Sequence, residues 1–438
     1  MPTGMGLLFL AAGFYCAVKR PDSLPGLLLF SALFPATSAL ALGSLWIMPY
    51  YVVAMLFIVS QFLRCDRQAS RSNFAGQTLL LVLGAFGVMS ALLFPVLFTG
   101  VGVYSNRLGT SDEVFQTFPL VPNLGNAAQA VYLTINILVV FATASVRRTA
   151  HIWGALNVAF YVLAGTIFAE LGCLVVGIPF PYRLIENNPE RDLLTSSVGS
   201  IAQRLRGTCG EPSYAGLILV IFFAAYFYRY YTGRGGGWKA LVAVIAIFLV
   251  RSSSAFVTLV AVCIIFIARN PPFRFPTFVR TRRLVRLIPV VAGVVACLLS
   301  PILLFLLQEG IVDKPTTGSY SHRTAMDQYC LYLLKRTYGL GVGVGSYRPS
   351  SLVASLIGNV GIIGTALAAL FVVQIALRVP ANKGWIRWAL VAGLIDMALA
   401  IPDITQPILW CLLAVAVYAG TPTNPSVPHD AAMPESPF

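Results

Sequence analysis

The chain is a succession of apolar stretches, each about as long as a helix needs to cross a bilayer, and this limits its fold more than any other feature. In hydrocarbon every backbone N–H and C=O must find a partner inside the protein, so only helices and closed barrels can span. Barrel strands alternate apolar and polar residues at period 2, and these stretches do not. The expected fold is therefore an all-α integral membrane protein with about 12–13 transmembrane helices. The spans read as 5–18, 25–44, 46–63, 78–99, 127–145, 152–176, 212–229, 238–250, 253–268, 286–307, 352–377, 386–401 and 405–420. Composition agrees: 58% of residues are hydrophobic, 11% are charged and the mean hydropathy is +0.80, far from a soluble domain.

Charge gives the orientation. Lys and Arg gather in alternate connections: Lys19/Arg20, Arg64/Arg67/Arg71, Arg147/Arg148, Arg229/Arg234/Lys239, a cluster from Arg269 to Arg286, and Arg378/Lys383/Arg387. Basic residues mark cytoplasmic loops, so these connections read as inside and the N-terminus as outside. No basic n-region precedes the first apolar run, which reads as a retained helix, not a signal peptide. The net charge of +14 sits largely in these loops and does not argue for nucleic acid. All six Trp (Trp46, Trp153, Trp238, Trp385, Trp388 and Trp410) lie near span ends, where aromatic rings favour the headgroup level. One polytopic domain over residues 1–420 is expected, with 421–438, rich in Pro and Ser, as a disordered cytoplasmic tail.

Two long loops on the outer side break the charge rule. The first, about 179–213, holds Arg183, Arg191, Arg204 and Arg206 and ends in Arg204-Leu-Arg-Gly-Thr-Cys-Gly-Glu211-Pro-Ser213. Pro212 suits the first helical position, with Glu211 near the cap. Arg204 and Arg206 would then sit beside a helix N-terminus, where backbone N–H groups also attract anions. The planar guanidinium fork matches phosphate oxygens. Pairing of these arginines with Glu186, Glu190 and Asp192 is the plainer reading. The second loop, about 308–351, holds Lys314, His322, Arg323, a helix-like stretch Tyr329–Arg336 and a glycine run from Gly339 to Gly345 before Arg348. His322 beside Arg323 has the ordinary pKa range of a general base. The glycine run fits either a tight turn into the next helix or a backbone that a sugar or pyrophosphate approaches closely. Arg251, in a short outward hairpin with Ser252–Ser254, either snorkels to the headgroups or faces the same site. Glu170 and Asp396 are candidate membrane-embedded carboxylates. An oxidising compartment would permit a Cys209–Cys330 bridge between the loops. No spacing suggests a metal site.

At these residues the chain resembles the O-antigen ligase/polymerase superfamily of bacterial envelope proteins. Three pieces carry the resemblance: the Arg204–Ser213 entry, the Ser-rich hairpin within Leu249–Leu259, and the loop with Arg323, Gly339–Arg348 and Asn359-Val-Gly-Ile-Ile-Gly364. They cover roughly 200–370. Where ligase members often carry a His after the glycine-rich turn, this chain has Ser350-Ser351-Leu352, which points to a Wzy-type polysaccharide polymerase. The resemblance implies a multi-pass protein of the bacterial inner membrane, a lipid-sugar glycosyltransferase of GT-C-like architecture with its active site facing the periplasm. It would transfer a glycan from undecaprenyl pyrophosphate to a lipid-linked repeat unit, for exopolysaccharide, capsule or O-antigen. It would need no metal or cofactor. Its partners would be the undecaprenyl-pyrophosphate-linked oligosaccharide, membrane lipids, a flippase and a chain-length regulator. In this reading Arg204, Arg206, Arg251, Arg323, Arg336 and Arg348 bind pyrophosphate, and Glu211 or His322 takes the acceptor proton. The competing readings are an O-antigen ligase and a lipid-sugar flippase or transporter, whose substrate groups sit near the bilayer midplane.

Overall fold

The computed structural model describes residues 2–43, 45–64, 74, 76–104, 117–146, 152–188, 204–269 and 318–421, with the side chains of 42, 45 and 318–322 outside that description. The expected span 286–307, Arg183's neighbour Arg191, Lys314 and the tail beyond 421 lie outside the described residues.

The architecture is all-α, with helices that can span a membrane. In chain order they are α1 (Gly4–Lys19), α2 (Leu24–Ser31), α3 (Pro49–Arg64), α4 (Gln77–Leu97), α5 (Leu124–Ala144), α6 (Ile152–Val176), α7 (Pro212–Tyr231), α8 (Gly237–Val250) and α9 (Ser253–Arg269), followed by α10 (Gly318–Arg336), α11 (Leu352–Arg378), α12 (Gly384–Ala400) and α13 (Pro407–Gly420). Among the described residues, 5 helices (α4, α5, α6, α7 and α11) are long and apolar enough to cross a membrane, while α1, α3, α8, α9 and α13 are apolar but shorter. The described strands form two antiparallel hairpins, β1 (Leu40–Leu42) with β2 (Leu45–Ile47) and β3 (Gly102–Tyr104) with β4 (Thr117–Pro119).

One expected span is corrected. Residues 25–44 do not form one helix: α2 ends at Ser31 and the chain runs irregularly to the β1–β2 hairpin. Pro35 supplies the reason, since it has no N–H to donate and its ring crowds the preceding turn. The backbone freed there is used by other segments. The Leu33 carbonyl accepts from the Thr208 hydroxyl at 2.9 Å, and the Ser38 N–H donates to Asn187 at 2.6 Å.

The helices pack through small residues, as bundles in lipid must when apolar burial gives no net drive. A methyl group on Gly84 of α4 would lie 2.4 Å from Ile137 of α5, and one on Gly87 would lie 2.5 Å from Leu133. α7 is buried on all sides from Tyr214 to Tyr226, the pattern of a central helix. It lies against α8, α9 and α12.

Among the described residues, the basic connections touch one another at one end of the bundle. Arg64 donates to the Ala17 carbonyl at 2.7 Å, Arg234 donates to Asn382, Gly420 lies beside Arg378, and Arg229 stacks on Trp153 at 4.1 Å. The two arginine-bearing loops meet at the other end, with the segments between α2 and α3 and between α12 and α13.

Candidate functional site

The loop before α11 is built to hold Arg348. Its glycines adopt left-handed backbone, with φ of +86° at Gly341 and +95° at Gly343, so that it can lie directly on neighbouring helices. A Cβ on Gly341 would fall 2.5 Å from the Asn359 carbonyl oxygen, and one on Gly343 would fall 2.5 Å from that of Ser90. α11 itself breaks at Gly361 (φ 63°, ψ −162°), and the broken turn binds the loop: Val342 N–H donates to Gly358 and Gly343 N–H to Asn359, each at 2.9 Å. Of the two readings of the glycine run, the structure shows a tight packed turn; at these two positions the space is filled by protein backbone.

Asn359 then fixes the next residues. Its side chain accepts from the Tyr347 N–H at 3.0 Å and donates to the Tyr347 carbonyl at 2.7 Å. Asn126 of α5 donates to the Val344 carbonyl at 3.0 Å and to the Ser346 hydroxyl at 2.8 Å. The Tyr347 hydroxyl donates to the Met326 carbonyl of α10, and Ser350 N–H donates to Asp327 at 2.7 Å. Arg348 is left exposed on a loop whose flanking groups are all tied down.

The segment between α12 and α13 supplies its counter-charge. Asp403 lies 3.3 Å from the Arg348 guanidinium and also accepts from the buried Tyr214 hydroxyl of α7. The segment is anchored at Thr405, two residues on. Tyr51 and Asn136 donate to the Thr405 carbonyl at 3.1 and 3.2 Å, and the Thr405 hydroxyl donates to Gln129 at 2.8 Å. The Asp403 carboxylate, with Tyr214 and Glu211 nearby, holds the Arg348 guanidinium above its usual pKa, so it stays charged. Glu211 is the N-cap residue of α7 with Pro212 at the first helical position, as expected, and accepts from the Ser213 hydroxyl at 3.3 Å. Arg348 and Asp403 border a cleft of about 640 Å³ whose walls include Phe118, Leu124, Gln129, Ser346 and Asn359. Apolar walls with a few placed polar groups are usual for a small-molecule site.

Arg206 belongs to a second, buried arrangement: its Nε lies 2.8 Å from Glu186 and its guanidinium stacks on Tyr182 at 4.0 Å. Beneath it Glu170, 2% exposed at the end of α6, accepts from the N–H groups of Arg206 and Gly207 at 3.0 and 2.8 Å and from the Tyr182 hydroxyl. Burial and Glu170 together push the Tyr182 phenol up. This embedded carboxylate is therefore the anchor of the first arginine loop. Arg204 is exposed two residues before Arg206. Arg251 caps α8 in left-handed backbone (φ 55°). Arg323 and Arg336 are exposed on α10, Arg336 donating to Tyr332 at 3.2 Å. His322 falls within α10, and its side chain lies outside the described residues. The bridge between Cys209 and Cys330 is not formed: both are free and buried, in separate apolar clusters.

Asp403, Tyr214 and Asn126 were missed by sequence reasoning, and Asn359, quoted within the third resembling piece, was given no role of its own. Asp403 carried a weak signal, an acidic residue in a short outer connection between two spans; Tyr214 and Asn126 carried none apart from their chain neighbours.

Known protein-family models and curated proteins were compared with the chain, and none matches it.

Proposed function

We propose that this chain is a membrane glycosyltransferase of the polysaccharide-polymerase kind. It would use a glycan on undecaprenyl pyrophosphate as donor and a lipid-linked repeat unit as acceptor, at the periplasmic face of a bacterial inner membrane. The observation that carries the reading is the meeting of Arg348, Asp403, Tyr214 and Glu211 beside a 640 Å³ cleft, on the end of the bundle away from the basic connections. The motif resemblance supports it, because Glu211 of the first resembling piece lies within electrostatic reach of Arg348 of the third.

In this reading the acceptor hydroxyl oxygen attacks the anomeric carbon, and the bond from that carbon to the pyrophosphate oxygen breaks with its electron pair on the pyrophosphate. Arg348 stands where that growing negative charge can be met by a fixed cation. Arg204, Arg206, Arg251, Arg323 and Arg336 are the further pyrophosphate candidates, of which Arg206 is already engaged by Glu186. Glu211 or His322 receives the hydroxyl proton. The test is the size profile of lipid-linked glycans in a strain lacking the protein. Accumulated single repeat units without long chains support a polymerase. Long chains never joined to lipid A core indicate a ligase. Single units trapped on the cytoplasmic leaflet indicate a flippase.

A further inference from the structure

We propose that the corner between α8 and α9, packed against α12, binds one monovalent alkali cation. Asp396 of α12 is 0% exposed, inside an otherwise apolar bundle. The Thr258 hydroxyl donates to its Oδ1 at 3.2 Å, and Ser254 also hydrogen-bonds the carboxyl. The Ser252 and Ser254 hydroxyls lie 3.1 Å apart. Thr258 is 0% exposed and Ser252 5% exposed, while Ser254 is half-buried, so the group is closed except on the Ser254 side. α7 closes it from one side, where Gly216 leaves room for Ser252: a methyl group there would sit 2.9 Å from the Ser252 hydroxyl.

The Asp396 Oδ2 atom has no hydrogen-bond partner, and no basic side chain is paired with the carboxyl among the described residues. An unpaired carboxylate in an apolar interior is costly, and two hydroxyl donors on the other oxygen do not compensate it. One added positive charge does. The available ligands are all oxygens (two of carboxylate, with the hydroxyls of Ser252, Ser254 and Thr258), which suits a hard cation. A single carboxylate neutralises a monovalent ion, whereas hard divalent ions are held by several carboxylates or keep much of their water. Intramembrane carboxylates are functional by default, and the glycosyltransferase reading uses Asp396 nowhere; this inference stands independently of that reading.

The test is thermal unfolding of the purified full chain in detergent at neutral pH, in sodium, potassium or choline chloride at matched ionic strength. Sodium or potassium should raise the melting temperature by about 2 °C over choline at tenfold excess over the dissociation constant, and further with the logarithm of its concentration. The more effective ion identifies the occupant. Asp396→Asn should melt alike in all three salts, and Thr258→Val should need about ten times as much of the ion for the same rise. Identical wild-type melting in all three salts overturns the proposal, because Asp396 is then a neutral acid. Retention of the alkali effect in Asp396→Asn overturns it as well. If Asp396→Asn cannot be purified, Thr258→Val decides: an unchanged dependence on ion concentration refutes the site.

Discussion

Replacing Asn359 by Leu should free the Arg348 loop while leaving the bundle folded. The two side chains have similar volume, so little cavity is created. What is lost is specific: the bonds to the Tyr347 N–H and carbonyl and the bond to the Ser355 carbonyl at 2.9 Å. Asn359 is 1% exposed and Tyr347 2% exposed, so the abandoned backbone groups stay dry. Each bond contributes about 1 kcal/mol net, and each buried group left unsatisfied costs about 1–3 kcal/mol. The local penalty is therefore about 3 kcal/mol or more, a factor of about 10² in the population of the open loop. Asn126 still holds Val344 and Ser346 on one side and Asp327 the Ser350 N–H on the other, which confines the opening to the Tyr347–Arg348 stretch. Limited chymotrypsin digestion at Tyr347 reads that population directly. The expected result is cleavage about 100-fold faster than wild type with an intact membrane-extracted protein. Cleavage at the wild-type rate would refute the claim that Asn359 positions this loop.

Other expectations follow from the same geometry. Arg348→Ala should abolish glycan polymerisation with normal protein level, whereas Arg323→Ala, an exposed position on α10, should reduce it less; polymer length on a sizing gel compares them. Glu170→Leu strands the N–H groups of Arg206 and Gly207 and should destabilise the protein by about 3 kcal/mol, seen as a lower melting temperature and reduced membrane yield. Cys209 is buried and its thiol is pushed up from 9.0 to about 12 by that burial, so a maleimide should label it only after unfolding. The folded state holds that proton more tightly, so this contribution to stability is constant below pH 9 and is lost as pH rises through about 12. Gly84→Val should loosen the α4–α5 contact and lower the melting temperature, because its Cβ falls 2.4 Å from Ile137.

The bundle was largely legible because lipid makes the hydropathy signal strong. The expected span 152–176 coincides with α6, and the expected entries at 212, 253 and 352 coincide with the starts of α7, α9 and α11. The failure at 25–44 came from hydropathy running on through Pro35, where backbone geometry, not transfer energy, ends the helix. Glu170 was legible as buried, but not as the anchor of Arg206 and Gly207, since its partners lie 36 and 37 residues away. Arg348 was legible as an unusual outer arginine; Asp403, 55 residues later, was not legible as its counter-charge. Pairings of that kind depend on how helices pack, and single-sequence periodicity carries no record of them. The glycine run was legible as either a tight turn or a backbone that a ligand approaches, but not as a turn packed on α4 and α11.

The central claim is that this protein joins lipid-linked glycans at the end of the bundle where Arg348 and Asp403 meet. Its most direct test is incubation of the purified wild-type protein and of Arg348→Ala with undecaprenyl-pyrophosphate-linked repeat units from the strain lacking the protein. The account predicts a ladder of longer lipid-linked glycans with wild type and none with the variant. No ladder with folded wild-type protein, or an equal ladder from the variant, would contradict it.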